Sequence, residues 1–346
     1  MTLSEQNETF EVDYWLVNPA EKIILAEFLS RRDWLKRGES LEKASVAGEG
    51  RMNLTLRLET SRRSFILKQS RPWVESRPTA SAPDQRIVFE SVFYEQVREI
   101  PALTLKMPRL LGVDRANRIM LLTDLGDLPN FTFLYDEPDK WKTYLPDLLE
   151  WLSLLHRRQF PDHIRMRMKN REMQQFMHDR MFVNPFQGHH NEDLERILPG
   201  LGELAEIFQK NEPLLRIIGQ IGDLYLQEGN SLIHGDFTPL NWLKFGKQVR
   251  IIDPEYAFFG RAEFDLGNLM AHFLLSGREI QKMNHVFAAY KFPHPFSAQL
   301  AWRFCGVALI QQLIGFPQVK INRDLAHRGY LLSMAEQLVQ TGNPLQ

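Results

Sequence analysis

Cysteine is nearly absent. Cys305 is the only one in 346 residues, which excludes an intrachain disulfide. It stands in the apolar run Phe304-Cys-Gly-Val-Ala-Leu-Ile310, where packing is the better reading than nucleophilic chemistry. An excess of either charge is also missing, since 42 Lys and Arg face 43 Asp and Glu. That balance argues against a general nucleic-acid or membrane-surface binder. No uncharged apolar run approaches the length of a membrane span. The opening Met1-Thr-Leu-Ser-Glu-Gln-Asn-Glu8 is acidic and polar, the reverse of a secretory signal. Internal repeats, low-complexity tracts and coiled-coil heptads are not found. These lacks lead to the expectation of a cytoplasmic protein with no nucleic-acid and no membrane partner, and they leave a homodimer open. A chain of 346 residues exceeds the usual size of one hydrophobic core, so two domains are expected.

What the chain does have is concentrated in one stretch. His234-Gly235-Asp236 is followed by Asn241 and then by Asp253-Pro254-Glu255. This places a carboxylate, a side-chain amide and two further carboxylates on neighbouring short segments. Phosphoryl transfer needs such an inventory: one group to orient and deprotonate a hydroxyl, and oxygen ligands for Mg²⁺ on a nucleotide. The interval from Asp236 to Asn241 equals the D-x-x-x-x-N interval of the protein-kinase catalytic loop, with His-Gly-Asp in place of His-Arg-Asp. Val249-Arg-Ile-Ile252 reads as a β-branched strand that delivers Asp253 to its end. A lone tripeptide would carry little weight, whereas the combination at these intervals is specific.

The first part of the chain reads as a small β-rich lobe. Asn53-Leu-Thr-Leu-Arg-Leu58 and Ser64-Phe-Ile-Leu-Lys68 flank a polar turn and predict an antiparallel hairpin. Gly48 and Gly50 precede it, where a missing Cβ would let backbone N–H groups approach phosphate oxygens. Lys68 stands where a strand lysine can reach the α- and β-phosphates. Residues 71–85, with Pro72, Pro78 and Pro83, read as a loop. A helix is predicted over residues 84–100. Glu90 and Glu95 are both candidates to pair with Lys68, and Glu90, nearer the helix start, is preferred. Strands are expected on both sides of Asp114-Arg-Ala-Asn117. Thr123-Asp124-Leu125, running into Gly126, reads as a hinge whose backbone could bind an adenine edge.

From about residue 130 the apolar intervals become helical. Helices are expected over residues 141–159, 201–228, 263–276, 281–290, 300–316 and 324–341. The stripe Met173, Phe176, Met177 and Met181 reads as core. The pair His189-His190 lacks helical ligand spacing and reads as a solvated loop.

Taken together, Gly48-Glu-Gly-Arg-Met-Asn53, Ile66-Leu-Lys-Gln69, His234-Gly-Asp236 with Asn241, and Asp253-Pro-Glu-Tyr-Ala-Phe-Phe-Gly260 followed by Phe264-Asp-Leu-Gly267 resemble the aminoglycoside phosphotransferase and choline kinase superfamily. The branch they resemble most is methylthioribose kinase. The resemblance implies an α+β, protein-kinase-like bilobal fold, with a nucleotide-binding lobe over 1–125 and a larger, mostly helical catalytic and substrate-binding lobe over 126–346. It implies ATP and Mg²⁺ as cofactors and a small hydroxylated molecule as acceptor. Carried over position by position, it assigns Gly48, Gly50, Asn53 and Lys68 to the phosphates, Glu90 to Lys68, and the backbone of Thr123 to Leu125 to adenine. Asp236 becomes the catalytic base, with Asn241, Asp253 and Glu255 around magnesium. One departure bears on the acceptor. Methylthioribose kinases carry paired arginines just before the Ile-Gly of the late helix, where this chain has Gln311-Gln312. An amide lacks the charge and the planar donor fork of a guanidinium. A different acceptor is therefore expected, with Arg261 or Arg323 as replacements. Two alternatives remain: an aminoglycoside-modifying phosphotransferase, which needs acids such as Glu192, Asp193 and Glu263 in one pocket, and a catalytically silent nucleotide-binding protein. Intact Asp236, Lys68, Asn241 and Asp253 argue against the second.

Overall fold

The structure is a computed structural model and describes residues 12–48 and 52–344. Gly50 and the polar N-terminal octet lie outside the described residues. By its internal contacts the chain divides into two compact units, Met1–Asp127 and Leu128–Gln346.

The first unit opens with helix α1 (Lys22–Arg31), which the sequence pattern does not announce. Ile23 and Ile24 are 76% and 49% exposed, so apolar residues lie on more than one face and blur the helical period. Strands β1 (Leu41–Val46), β2 (Leu54–Thr60) and β3 (Ser64–Gln69) form an antiparallel meander. Residues 71–85 are not a plain loop, because β4 (Trp73–Val74) and β5 (Arg77–Ser81) pair within them. Helix α2 (Arg86–Val97) and the short α3 (Pro101–Thr104) follow. Strands β6 (Leu110–Asp114) and β7 (Ile119–Thr123) complete a five-stranded sheet of order β1-β2-β3-β7-β6.

Strand alternation sorts the side chains. Leu56, Leu58, Phe65, Leu67, Ile119 and Leu121 face one side, where they bury against Leu25 and Leu29 of α1. Each such side chain, fully buried, stabilises the fold by about 1.5–3 kcal/mol relative to exposure. Lys68, one position out of phase with Leu67, is thereby turned to the other face of the sheet.

The second unit is mostly helical: α4 (Trp141–Arg157), α5 (Asp162–Arg167), α6 (Arg171–His178), a π-helical turn at Asp179–Val183, α7 (Asn191–Ile197), α8 (Leu201–Gln209) and α9 (Glu212–Leu226). The helix expected over 201–228 is interrupted. Asn211 accepts from the Leu214 N–H as an N-cap, and Pro213 behind it has no N–H to continue the ladder. Two small antiparallel pairs then carry the chemistry-bearing segments: β8 (Ser231–Ile233) with β11 (Phe258–Gly260), and β9 (Trp242–Phe245) with β10 (Gln248–Ile251). Helices α10 (Ala262–Leu275), α11 (Asn284–Ala289), α12 (Ala298–Ile314) and α13 (Leu325–Thr341) close the chain. All 14 residues of α10 are buried, the polar Glu263, Asp265, Asn268 and His272 among them. Its Gly267 lets α12 approach: a Cβ there would lie 2.7 Å from Cβ of Phe304. Among the described residues no helix is long and apolar enough to cross a membrane.

Candidate active site

Strand β8 ends at Ile233 and releases His234-Gly235-Asp236 into a turn whose backbone is held by one buried carboxylate. Asp265, in the first turn of α10, accepts the His234 N–H at 2.7 Å and the Gly235 N–H at 3.0 Å. His156 of α4 places Nε2 3.1 Å from the same carboxylate, and its Nδ1 meets the Tyr290 hydroxyl at 2.6 Å. Gly235 has φ +81°, and a Cβ there would lie 2.3 Å from the Tyr256 carbonyl oxygen, so only glycine fits. His234 is a strut. Its Nε2 donates to the Ile252 carbonyl at 2.9 Å, and its Nδ1 accepts the Asp236 N–H at 3.3 Å. Burial holds its imidazole below the ordinary 6.5, so it stays neutral in this role.

The loop presents Asp236 with its orientation already set. The Asn241 Nδ2 donates to Asp236 Oδ2 at 2.8 Å and to the Asp236 carbonyl at 2.9 Å. The Asn241 carbonyl in turn accepts the Ile252 N–H at 3.0 Å, which ties the loop to the segment carrying Asp253. Below the loop, Phe237 stacks on Trp151 with centroids 5.6 Å apart.

Asp253 has φ +61°, a left-handed conformation that costs a non-glycine residue about 1–3 kcal/mol and persists only where surroundings enforce it. Asn170 supplies part of that enforcement, donating to the carbonyls of Glu255 at 2.8 Å and Ala257 at 3.2 Å. The Glu255 side chain is buried. Among the described residues no group of three or more His, Cys, Asp or Glu forms a metal cage. Mg²⁺ on a nucleotide does not need one, because it takes one or two carboxylates together with phosphate oxygens and water. Asn241 commits its Nδ2 to Asp236, and its Oδ1 and the carboxylates of Asp253 and Glu255 are oxygens of the kind Mg²⁺ takes.

In the first unit Lys68 is 2% exposed, and its Nζ lies 2.8 and 2.9 Å from the two oxygens of Glu90. Glu95 instead pairs with Arg115 at 2.8 Å. Asn53 gives its Oδ1 to the Arg86 Nε at 2.7 Å, so Nδ2 is its donating end. Arg86 is fully buried and also binds the carbonyls of Met52, Arg71 and Pro83, which fixes the chain before β2 against the β4–β5 segment. Gly48 takes φ +65°. Thr123 is placed differently from expectation: its N–H donates to the Arg109 carbonyl at 2.9 Å, so that donor is not available to a base. Arg57 bonds Asp124 and the Gly126 carbonyl, each at 2.9 Å. Among the described residues Leu125 has no hydrogen-bonded backbone partner.

The four residues expected at the acceptor are engaged elsewhere. Arg261 donates to the Leu224 carbonyl at 3.2 Å and to Gln227 at 3.1 Å. Arg323 donates to the Ser276 carbonyl at 3.1 Å. Gln311 and Gln312 are buried, at 1% and 5% exposure. Gln311 donates to the Pro317 carbonyl at 3.2 Å, and Gln312 donates to Gln311 at 2.8 Å and accepts the Val319 N–H at 3.0 Å. The acids that a polycationic acceptor would need are also occupied. Asp193 pairs with Arg196 at 2.9 Å, and Glu263 accepts the Ser297 N–H at 2.7 Å. Sequence reasoning missed His156, Tyr290, Asn170 and Arg86. Only Asp265 had a signal, in Phe264-Asp-Leu-Gly267.

The family model described as "Phosphotransferase enzyme family" matches residues 43–296. Methylthioribose kinase of Exiguobacterium sibiricum is 23% identical over 244 residues, 66% of this chain and 60% of that protein. The chain thus spans about three fifths of the length of the first curated relatives it matches, 60%, 62% and 61%. Among solved structures, ethanolamine kinase of Plasmodium vivax superposes with a TM-score of 0.55 at 12% identity, covering 92% of this chain and 89% of that one. LicA, a choline kinase of Streptococcus pneumoniae solved in complex with AMP, gives a TM-score of 0.52 at 14% identity, covering 93% and 99%. The fold is the protein-kinase-like α+β fold of these enzymes.

Proposed function

The chain belongs to the phosphotransferase enzyme family, and from that premise we propose that it is an ATP- and Mg²⁺-dependent kinase that moves the γ-phosphate to a hydroxyl of a small molecule. The carrying observation is the Asp236 carboxylate, held by Asn241 at 2.8 Å on a turn whose two preceding N–H groups are bound by Asp265. A carboxylate fixed in this way accepts a hydrogen bond from the acceptor hydroxyl, orients its oxygen toward the phosphorus and takes the proton as the bond forms. Lys68, pre-positioned by Glu90, and the Nδ2 of Asn53 donate to phosphate oxygens and offset charge there. Asn241, Asp253 and Glu255 would hold Mg²⁺, which would further stabilise negative charge on the phosphates.

The acceptor differs from methylthioribose in this reading. Gln311 and Gln312 hold the 317–319 segment instead of facing a sugar, and Arg261 and Arg323 hold helix ends. Loss of a charge-assisted hydrogen bond lowers affinity by roughly ten- to a hundredfold. The test has two parts. Thermal stabilisation by ATP should depend on Mg²⁺ in the wild type, and this Mg²⁺-dependent stabilisation should disappear in Asp253→Ala. Coupled ATP turnover should then be measured on methylthioribose beside sugars, nucleosides and amino alcohols. Saturable, efficient turnover of methylthioribose would overturn the acceptor reading, and no Mg²⁺-dependent ATP binding would overturn the kinase reading.

A further inference from the structure

Arg180 lies in the π-helical turn Asp179–Val183 that continues α6. Such turns recur at functional sites because they rotate side chains out of the regular α register. Arg180 is partly exposed and its Nε is buried, yet among the described residues it makes no hydrogen bond and no ion pair. Other arginines with a buried, unpartnered Nε, such as Arg71, Arg278, Arg303, Arg323 and Arg328, each place a terminal nitrogen on a protein oxygen. The adjacent Asp179 does not serve it, since its carboxylate takes Gln175 at 2.8 Å and His178 at 3.2 Å. The buried Nε without a partner calls for an explanation, and the terminal nitrogens, which no protein oxygen among the described residues takes, can serve an anion.

The position of the turn points to the acceptor. Phe176, four residues earlier and so one turn back along the helix, meets Tyr256 with centroids 6.5 Å apart. The Tyr256 carbonyl is the atom packed against Gly235. Phe182, two residues on, lies 5.6 Å from Tyr225. Asn170, at the start of α6, is bonded to the Glu255 and Ala257 carbonyls. The segment from 170 to 183 is therefore a wall beside the Asp236 turn. On its far side Phe182 touches Phe304 of α12, the helix that carries Gln311 and Gln312. His272, also near Arg180, cannot supply negative charge. Burial first and the Arg180 charge second hold it neutral.

We propose that Arg180 is a specificity-determining residue of the acceptor subsite and binds an oxyanion, so that the acceptor carries a carboxylate or a phosphate besides the hydroxyl that is phosphorylated. The proposal rests on the kinase reading above and names its substrate class. A guanidinium fork matches either anion with two parallel hydrogen bonds.

Calorimetric titration without nucleotide, using matched probes, tests it: glycerate against glyceramide, and ribose 5-phosphate against ribose. In the wild type the charged member of at least one pair should bind at least about tenfold tighter than its neutral partner, and the pair that shows the preference separates carboxylate from phosphate. Arg180→Met should abolish the preference, and Arg180→Lys should keep part of it. Since Arg180 has no acceptor among the described residues, the melting temperature of Arg180→Met should stay at the wild-type value or rise. Three outcomes overturn the proposal: no charged probe binding, equal binding of charged and neutral members, or a preference unchanged in Arg180→Met. A collapse of melting temperature with the preference intact gives Arg180 a structural role and overturns it too. Failure of the kinase reading shows separately, as a missing Mg²⁺-dependent ATP shift in the wild type, while the titration still decides on Arg180.

Discussion

Replacing Asp265 with asparagine changes one oxygen of a buried carboxylate into a donor at a site where three donors converge. Oδ2 serves the His234 N–H and the His156 Nε2, and Oδ1 serves the Gly235 N–H. The less damaging orientation of the new amide keeps its oxygen at the doubly used position and turns its NH₂ toward Gly235. That step loses one charge-assisted hydrogen bond, about 1.5–3 kcal/mol, and leaves two donors facing each other. The two bonds that survive fall from charge-assisted to neutral and lose roughly half their strength. Together these effects give a destabilisation of about 3–6 kcal/mol. Part of that energy is released by the turn itself moving, and displacement of about 1 Å at Asp236 corresponds to roughly a hundredfold in kcat. The nucleotide KM should hardly change, because Lys68, Glu90 and Asn53 belong to the other unit. Denaturant unfolding and steady-state kinetics on the same preparation check both halves. An Asp265→Asn enzyme with wild-type kcat and unfolding free energy would refute the claim that this carboxylate holds the turn.

Other outcomes follow from the same geometry. Asp236→Asn should abolish turnover while the ATP-dependent thermal shift survives, since an amide cannot take the proton; substantial activity in the purified variant removes Asp236 from that role. Glu90→Gln leaves Lys68 as a buried cation with a weakened partner and should cost about 3–5 kcal/mol of stability along with nucleotide affinity, as read by unfolding and ATP titration. Wild-type values for both would mark the pair as dispensable. His272 is held at about 3 against an ordinary 6.5, chiefly by burial and then by Arg180. In the interval between those values the unfolded chain binds the extra proton, so stability is full above the upper value and falls as pH drops toward the lower. The slope reaches about 1.4 kcal/mol per pH unit. Unfolding measured across that window should be less steep for His272→Gln, and an identical slope would show that other groups carry the acid sensitivity.

The legible parts of this fold and site were those written in short intervals. Asp236 and Asn241 are five positions apart, and the loop between them is short enough that spacing alone brings the two side chains together. The β2–β3 hairpin announced itself because alternation and a polar turn coincide there. Contacts between distant segments left no such trace. His156 meets Asp265 across 109 positions, and nothing around His156 in α4 sets it apart from a core histidine. Arg86 reads as an ordinary helix-start arginine until five carbonyl and amide oxygens close around it. Arg261, Arg323, Gln311 and Gln312 were expected at an acceptor because polar side chains near a family position look available. Burial and backbone carbonyls had already claimed them. Arg180 escaped notice for the opposite reason: its significance lies in the partner it lacks, and a sequence does not show that.

The two glutamines of α12 also decide how acceptor choice can be altered. Gln311 and Gln312 fasten the backbone at Pro317 and Val319, and both lie out of solvent. Grafting arginines onto these positions would not be a modular exchange of specificity. The Pro317 carbonyl and the Val319 N–H would lose their partners as two longer, charged side chains entered buried space. Loop order resides in this pair of residues, so an acceptor preference introduced there must come with a rebuilt 316–322 segment. The π turn carries no such duty, and position 180 can change its side chain while the scaffold around it keeps every hydrogen bond it has.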